Sequence, residues 1–410
     1  MNPILSALLR NKTGAVLVAV QVAISLAILA NALHIVNLRQ AVAARPSGLA
    51  DEASTFNIST RWLRKENAAF DLAVQKSETA LLRAIPGVIG VATTNQMPLS
   101  NSGSSTSLAV DRKQVKESAN TAMYETGDSL VAAWGLRLVQ GRDIAPADVL
   151  ELDAVNDTGA PKVVVITQAL ADKLWPGQSS VIGKTMYFGT GDKADATQIV
   201  GVIERLQTPW GQIGEDGEFS TILPLRSLGT TPGTAYTVRT EPGQRDRVMK
   251  EAEAILRKAT ATPVIIKTRT SSEDRKQRYR ADMALSWMLI TVSVLLLIVT
   301  ASGIVGMASL WVTQRRKQIG VRRALGARRA DILRYFLSEN VMITSVGVVS
   351  GVLLAIGLNQ LLVSKLEMAR LPVPYLLAGA AVFYLLGVAA VYGPAWRAAT
   401  ISPALATRSA

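Results

Sequence analysis

"QRRKQIGVRRALGARRADI", from Gln314 to Ile332, crowds its cations as a nucleic-acid-binding arm does, yet it stands between two long apolar runs. Upstream lies "MALSWMLITVSVLLLIVTASGIVGMASLWV" (Met283–Val312) and downstream "NVMITSVGVVSGVLLAIGLNQLLV" (Asn340–Val363), neither with a formal charge. As helices rising about 1.5 Å per residue, both are long enough to cross the roughly 30 Å hydrocarbon core of a bilayer. A basic segment anchored to the membrane on both sides offers no docking face for nucleic acid. Its charge reads instead as a marker of the side on which the segment stays.

Two more uncharged runs complete the set: "GAVLVAVQVAISLAILANALHIV" (Gly14–Val36) and "VPYLLAGAAVFYLLGVAAVYGPA" (Val373–Ala395), the latter closing at Gly393-Pro394. The first outruns the roughly 7–15 residues of a signal-peptide apolar region, so it reads as a retained anchor although "AVAA" (Ala41–Ala44) offers small residues. The fold class that follows is an α-helical membrane protein with four transmembrane helices and one large periplasmic α/β domain. Residues 1–36 hold a short N-terminus and the first helix, 37–282 the exported domain, and 283–312 the second helix. Residues 313–339 form the basic loop, 340–363 the third helix, 364–372 a short outer loop, 373–395 the fourth helix and 396–410 a tail.

Short loops orient such a chain, because long ones cross largely regardless of charge. Between the second and third spans, eight Lys and Arg residues face Asp331 and Glu339, a net of +6, whereas the 364–372 loop carries a net of +1. The basic loop and both termini are therefore expected in the cytoplasm, consistent with Arg10 and Lys12 ahead of the first span. Arg275, Lys276, Arg278 and Arg280 run against this pattern just outside the second span. The long exported segment carries them across as a unit.

Composition agrees with a membrane protein: 49% of the 410 residues are hydrophobic, only 18% are charged, and the net charge is +13. Without cysteine there is no disulfide, thiolate nucleophile or Cys-metal site. His34 is the only histidine, near the outer end of the first span, and one imidazole makes neither a metal site nor a Ser-His-Asp relay. It reads as an interfacial polar residue, with Gln21, Ser25 and Asn31 bonding to neighbouring helices. Gly347 and Gly351 form a GxxxG in the third span, a pattern that permits close helix packing. "GKT" (Gly183–Thr185) lacks the upstream glycine of a phosphate loop, since Gln178 holds that place. No catalytic, cofactor or metal residue emerges.

The exported segment alternates strands and helices. "TFNIST" (Thr55–Thr60), a helical "ENAAFDLAVQKSETALLRAI" (Glu66–Ile85) and "VIGVATT" (Val88–Thr94) form one β-α-β unit. "TAYTVRT" (Thr234–Thr240), "QRDRVMKEAEAILRKA" (Gln244–Ala259) and "PVIIKT" (Pro263–Thr268) echo it. Two such units suggest a ferredoxin-like layer split by an inserted small β-rich domain, about 134–224. The insert has strands at "KVVVIT" (Lys162–Thr167), "TMYFG" (Thr185–Gly189) and "QIVGVI" (Gln198–Ile203). "PLSNSGSSTS" (Pro98–Ser107) reads as a flexible surface loop.

In this plan, "QRRKQIGVRRALGARRADILRYFLSEN" (Gln314–Asn340) resembles the cytoplasmic signature of FtsX-like ABC transporter permeases. "GLRLVQGRDI…VVVITQALADKLWPG…IGKTMYFG…QIVGVI" (Gly135–Ile203) resembles the periplasmic core domain of their MacB branch, and "GPAWRAATISPALATR" (Gly393–Arg408) their usual ending. The resemblance implies a type VII ABC permease, which pairs as a homo- or heterodimer and relays ATP-driven movement to the periplasm. Its implied partners are a separate ABC ATPase that binds ATP and Mg, a periplasmic adaptor protein, an outer-membrane channel and the lipids of a bacterial inner membrane. Export is the implied function; a mechanical signal transducer acting on a periplasmic partner, or a lipoprotein-extraction permease, is the alternative. The chain departs from the family at Gln314 and Gln318, where acidic residues are usual.

On this reading Arg315, Arg316, Lys317, Gln318, Ile319, Gly320, Arg322, Arg323, Leu325, Gly326, Ala327 and Arg328 couple the permease to the ATPase. The second span is expected to run on through Ile319, with turns at Gly320 and at Gly326-Ala327. "RRADILRYFL" (Arg328–Leu337) then reads as an amphipathic segment lying on the inner membrane interface, with Ile332, Leu333 and Phe336 towards lipid.

Overall fold

The computed structural model describes residues 12–63, 67–229, 233–259, 263–366 and 369–400. The expected helix start at Glu66, Arg10, and the tail beyond Thr400 lie outside the described residues. Two compact units divide the chain: Met1–Gln40 with Asp282–Ala410, and Ala41–Ala281.

Among the described residues four helices, lying mainly in the first unit, are long and apolar enough to cross a membrane: Lys12–Ala43, Arg280–Gln314, Arg329–Leu366 and Val373–Ala399. The first is the most buried of them, and glycine explains how the third approaches it. A Cβ added to Gly347 would stand 2.8 Å from the Ala19 carbonyl oxygen, and one on Gly351 2.9 Å from that of Ala23. Polar side chains tie the same helix to its neighbours where water is absent. The Ser25 and Thr300 hydroxyls lie 3.0 Å apart, and Asn31 Nδ2 donates to the Ala355 carbonyl at 3.2 Å. His34 lies edge-on to Tyr375, ring centroids 5.2 Å apart. The fourth helix runs through Gly393-Pro394 to Ala399, past the expected close, because Ala395, Ala398 and Ala399 pack into the core beside Phe336 and Ile319.

The second unit contains thirteen described strands. β1 (Thr55–Trp62) and β2 (Val88–Thr93) flank the helix Ala68–Arg83. Then come β3 (Ser105–Ala109), β4 (Ala119–Glu125), β5 (Leu138–Gly141), β6 (Leu150–Asp153), β7 (Val163–Thr167) and β8 (Thr185–Phe188). β9 (Asp195–Ile203), β10 (Ser220–Leu223) and β11 (Leu225–Leu228) precede β12 (Ala235–Thr240), the helix Arg245–Ala259 and β13 (Val264–Thr270). β13-β1-β12-β2 form one antiparallel sheet, the ferredoxin-like order, and both helices cover one face through Phe56, Ile58, Leu82, Val238, Val248 and Leu256. Everything between β2 and β12 belongs to the insert. Seven of its strands run in the order β5-β9-β7-β10-β4-β3-β8, and β8 also pairs with β9, so the sheet curls on itself.

Two expectations change. The insert is wider than 134–224, because β3 and β4 pair inside its sheet. "PLSNSGSSTS" is an ordered connection rather than a flexible loop: Leu99 is buried, and both Leu99 (φ 61°) and Asn101 (φ 62°) take the left-handed conformation. Their N–H groups donate to the carbonyls of Thr208 and Pro209, at 3.3 and 2.9 Å. Non-glycine residues persist there only where surrounding contacts fix them.

The helix Ala68–Arg83 buries a polar row, Asp71, Gln75 and Glu78, beside its buried Leu82. Each member has a partner: the Gly229 N–H at 2.8 Å, Arg226 Nη1 at 3.0 Å and the Tyr236 hydroxyl at 2.6 Å. Burial pushes the Glu78 carboxyl up to about 7, against a small opposing effect of the Tyr236 bond. The folded pKa lies above the unfolded 4.5, so the contribution of neutral Glu78 is complete below that pH and is lost as pH rises through about 7. Raising pH from 5 to 8 should therefore cost the chain about 3 kcal/mol from this group. Glu78→Gln keeps an acceptor for Tyr236 and should remove that part of the slope, as read by denaturant unfolding at both pH values. An unchanged slope would refute the assignment.

Candidate functional site

The basic stretch does not continue the second span. That helix stops at Gln314, Arg315 takes a non-helical turn (φ −101°, ψ 11°), and a separate short helix, Arg316–Ala324, follows. Gly320 is thus helical and buried, not a turn. The reversal falls at Gly326, whose φ of 101° suits glycine. The Ala327 N–H donates back to the Arg322 carbonyl and the Gly326 N–H to that of Arg323, closing the helix as a glycine C-cap does.

Two arginines hold the short helix. Arg315 makes a two-pronged pair with Glu339 of the third span, at 2.6 and 3.0 Å, and Glu339 is 1% exposed. Arg315 also donates to the Tyr335 hydroxyl at 3.3 Å, and the guanidinium of Arg322 sits 5.2 Å from the Tyr335 ring centroid. From the other end, Arg323 Nη1 donates to the Ala399 carbonyl at 2.9 Å, satisfying an acceptor in the last turn of the fourth helix. Between the two clamps Ile319 is buried in the core that holds Trp311, Ile332, Phe336 and Ala398. The space left beside it, about 20 Å³, is enough for a water and too small for a cofactor.

The expected lipid-facing segment is corrected by this packing. Ile332, Leu333 and Phe336 lie in the first turns of the long helix Arg329–Leu366; Ile332 and Phe336 are buried in protein, with Leu333 packed against the same core. The short helix folds back over their apolar face, so that face is covered before lipid can reach it. The short helix and its turn leave exposed a mixed surface: Arg316, Lys317, Gln318, Val321, Arg322, Ala324, Leu325, Gly326 and Arg328. Leu325 is 83% exposed. Sequence reading gave Glu339 and Tyr335 no role; the only signal was one acid closing the polar side of an otherwise apolar run.

Residues 290–403 match the FtsX-like permease C-terminal family, and residues 18–255 match the MacB-like periplasmic core domain. The macrolide export ATP-binding/permease protein MacB of Hahella chejuensis is 28% identical over 294 residues, covering 69% of this chain and 42% of the relative. MacB of Agrobacterium fabrum is 28% identical over 309 residues, with 73% and 44% covered. The pyoverdine export ATP-binding/permease protein PvdT of Pseudomonas syringae is 28% identical over 267 residues, with 62% and 39% covered. The chain thus spans about two fifths of the length of these curated relatives. With four membrane-length helices around a joint at the FtsX signature and a MacB-like core domain between the first two, the chain belongs to the MacB-like, FtsX-like family of ABC transporter permeases.

Proposed function

We propose that this chain is the permease subunit of a type VII exporter, moved by an ABC ATPase that acts on the basic joint from the cytoplasm. The observation that carries the reading is the short helix Arg316–Ala324, locked to the third span by Arg315–Glu339 and to the fourth by Arg323, with Val321 and Leu325 left bare. A cationic rim around two exposed apolar side chains is the kind of knob that seats in a partner's groove. A push on it passes into two spans at once, through a buried ion pair and a capped helix end. ATP and Mg belong to the partner, a separate ATPase subunit. The permease works as a pair, a second copy or a paralogue completing it, and the periplasmic unit hands cargo to an adaptor and an outer-membrane channel.

The test uses the full chain in lipid nanodiscs with its ATPase subunit. Val321→Asp with Leu325→Asp places two charges on the bare surface and should lower permease-stimulated ATP turnover roughly thirtyfold, the scale of a lost hot spot. Both side chains are exposed, so the unfolding midpoint should stay at the parent value. Undiminished stimulation would refute docking at this surface. ATP-driven movement of the periplasmic unit without cargo transfer would favour the signal-transducer alternative.

A further inference from the structure

Glu125 ends β4 as a half-buried carboxylate that no cation meets. Its Oε2 accepts from the Ser227 hydroxyl at 3.0 Å, and among the described residues no Lys or Arg pairs with it. The cations of the surrounding elements are already committed. On the helix Ala68–Arg83, Lys76 pairs with Glu151 at 2.8 Å and Arg83 with Asp128 at 2.7 Å. Arg226, on β11, is buried; it donates to Gln75 Oε1 at 3.0 Å and to the Gly127 carbonyl at 2.9 Å, and lies 3.7 Å from Asp128. A Cβ on Gly127 would stand 2.3 Å from that guanidinium, so glycine leaves the space it fills. On β12, Arg239 donates to the carbonyls of Ala132 and Ala133. β2 and β4 carry no Lys or Arg. Burial pushes the Glu125 carboxyl above its ordinary value, against a smaller lowering by the Ser227 bond. A carboxylate taken from water without a counter-charge is costly.

Local bonding fixes the strand end that carries this group. Asn95, just past β2, accepts from the Glu125 N–H at 3.0 Å and donates to the Met123 carbonyl at 3.0 Å. Glu125 stands opposite Leu223 of β10, and β11 brings Ser227 through its parallel pairing with β6. Between these elements lies a cleft of about 310 Å³, within the Ala41–Ala281 unit. Glu125, Gln75, Thr94, Thr126, Ser227 and Thr234 line it, with Arg226 as its one guanidinium. Its size matches the smaller small-molecule sites, and its walls offer hydroxyl oxygens around a single carboxylate.

We infer that this cleft binds a small organic ammonium ion, with Glu125 as its counter-charge and the Ser227 hydroxyl as a neighbouring oxygen. An ammonium group brings several N–H donors and one positive charge, which a carboxylate among hydroxyls accepts through charge-assisted bonds. A cation seated there also offsets the cost of burying the carboxylate. A carboxylate ligand on Arg226 fits less well, because Gln75, Gly127 and Asp128 already surround that guanidinium. Such a site operates in the exported unit whether or not the membrane joint couples to an ATPase.

The probe is n-butylammonium chloride, titrated onto the full chain in nanodiscs of neutral lipid. Line broadening of the probe is followed by NMR, with empty nanodiscs as the blank. The parent should bind it saturably, and butyrate and n-butanol should bind at least about tenfold more weakly. Glu125→Gln keeps the size and an acceptor for Ser227, and should weaken butylammonium at least about tenfold, the scale of a lost charge-assisted bond. Glu204→Gln removes an exposed acid elsewhere on the unit and should stay within about twofold of the parent. Ser227→Lys supplies a tethered ammonium beside Glu125, so it should abolish probe binding while the unfolding midpoint stays at or above the parent value. Where Glu125→Gln does not fold, Ser227→Lys decides. Non-saturable binding by the parent, equal binding of butyrate, or parent affinity in Glu125→Gln or Ser227→Lys would each overturn the site. An equal loss in Glu204→Gln and Glu125→Gln would reduce the effect to general surface charge and overturn it too.

Discussion

Arg315→Ala is expected to cost the membrane unit about 3–5 kcal/mol, because it strands Glu339 as an unpaired carboxylate in a buried site. Glu339 is 1% exposed and Arg315 has 13% of its side chain open, so solvent screens the pair little. The same truncation removes the donor to Tyr335 and frees the start of the short helix. Unfolding of the detergent-solubilised chain should report the loss, and ATP turnover with the ATPase subunit should fall to the unstimulated level. A second variant separates stability from coupling. Arg315→Met with Glu339→Leu replaces the pair by apolar side chains of similar size, a change that is often neutral or stabilising for a buried ion pair. It should restore the unfolding free energy to within about 1 kcal/mol of the parent while stimulation stays low, because a directional clamp has become a greasy contact. Recovery of stimulation together with stability would show that the pair serves folding alone. A loss under about 1 kcal/mol in Arg315→Ala would show that Glu339 finds water or another donor.

The parts of this architecture legible in the sequence are those that a local pattern encodes. Uncharged runs longer than a bilayer give four spans without ambiguity, and the two β-α-β echoes give the order β13-β1-β12-β2 once they are taken as one split layer. The edge of the insert is not encoded in that way. β3 and β4 are short and weakly alternating, and what assigns them to the insert is their pairing with β8 and β10, which lie far along the chain. The joint was half legible. Gly326 marks the reversal through a conformational need that glycine alone meets cheaply. Gly320 suggested a turn for the same reason, but tertiary packing overrides that preference and places it inside a helix. Ile332 and Phe336 show amphipathic spacing whether lipid or protein covers them, so periodicity could not choose between the two. The polar row on the helix Ala68–Arg83 likewise looks solvent-facing until Arg226, Tyr236 and the Gly229 N–H are brought to it from more than 150 positions away.

Packing between the first and third spans sets the second large prediction. Without a hydrophobic force between helices in lipid, their association depends on close backbone approach. Gly347 and Gly351 meet rigid neighbours: new Cβ atoms would lie 2.8 Å from the Ala19 carbonyl oxygen, and 2.9 Å from that of Ala23 with its Cα at 3.0 Å. Backbone cannot swing aside as a long side chain can, so the helices must separate. Overpacking of this kind costs about 1–3 kcal/mol per site, and Gly347→Leu/Gly351→Leu should reach the upper end or beyond it as the two act on one seam. Separation would also put the Asn31–Ala355 bond at risk, leaving a polar group unpaired in an apolar setting. Gly357 supplies the control: it lies on the same helix with nothing within 4 Å of its would-be Cβ, so Gly357→Leu should leave stability within about 0.5 kcal/mol of the parent. Unfolding in mixed micelles, followed by tryptophan fluorescence, compares the three chains directly. If Gly357→Leu is as harmful as the double variant, glycine serves helix flexibility throughout the span. If the double variant matches the parent, the first span is not seated on the third.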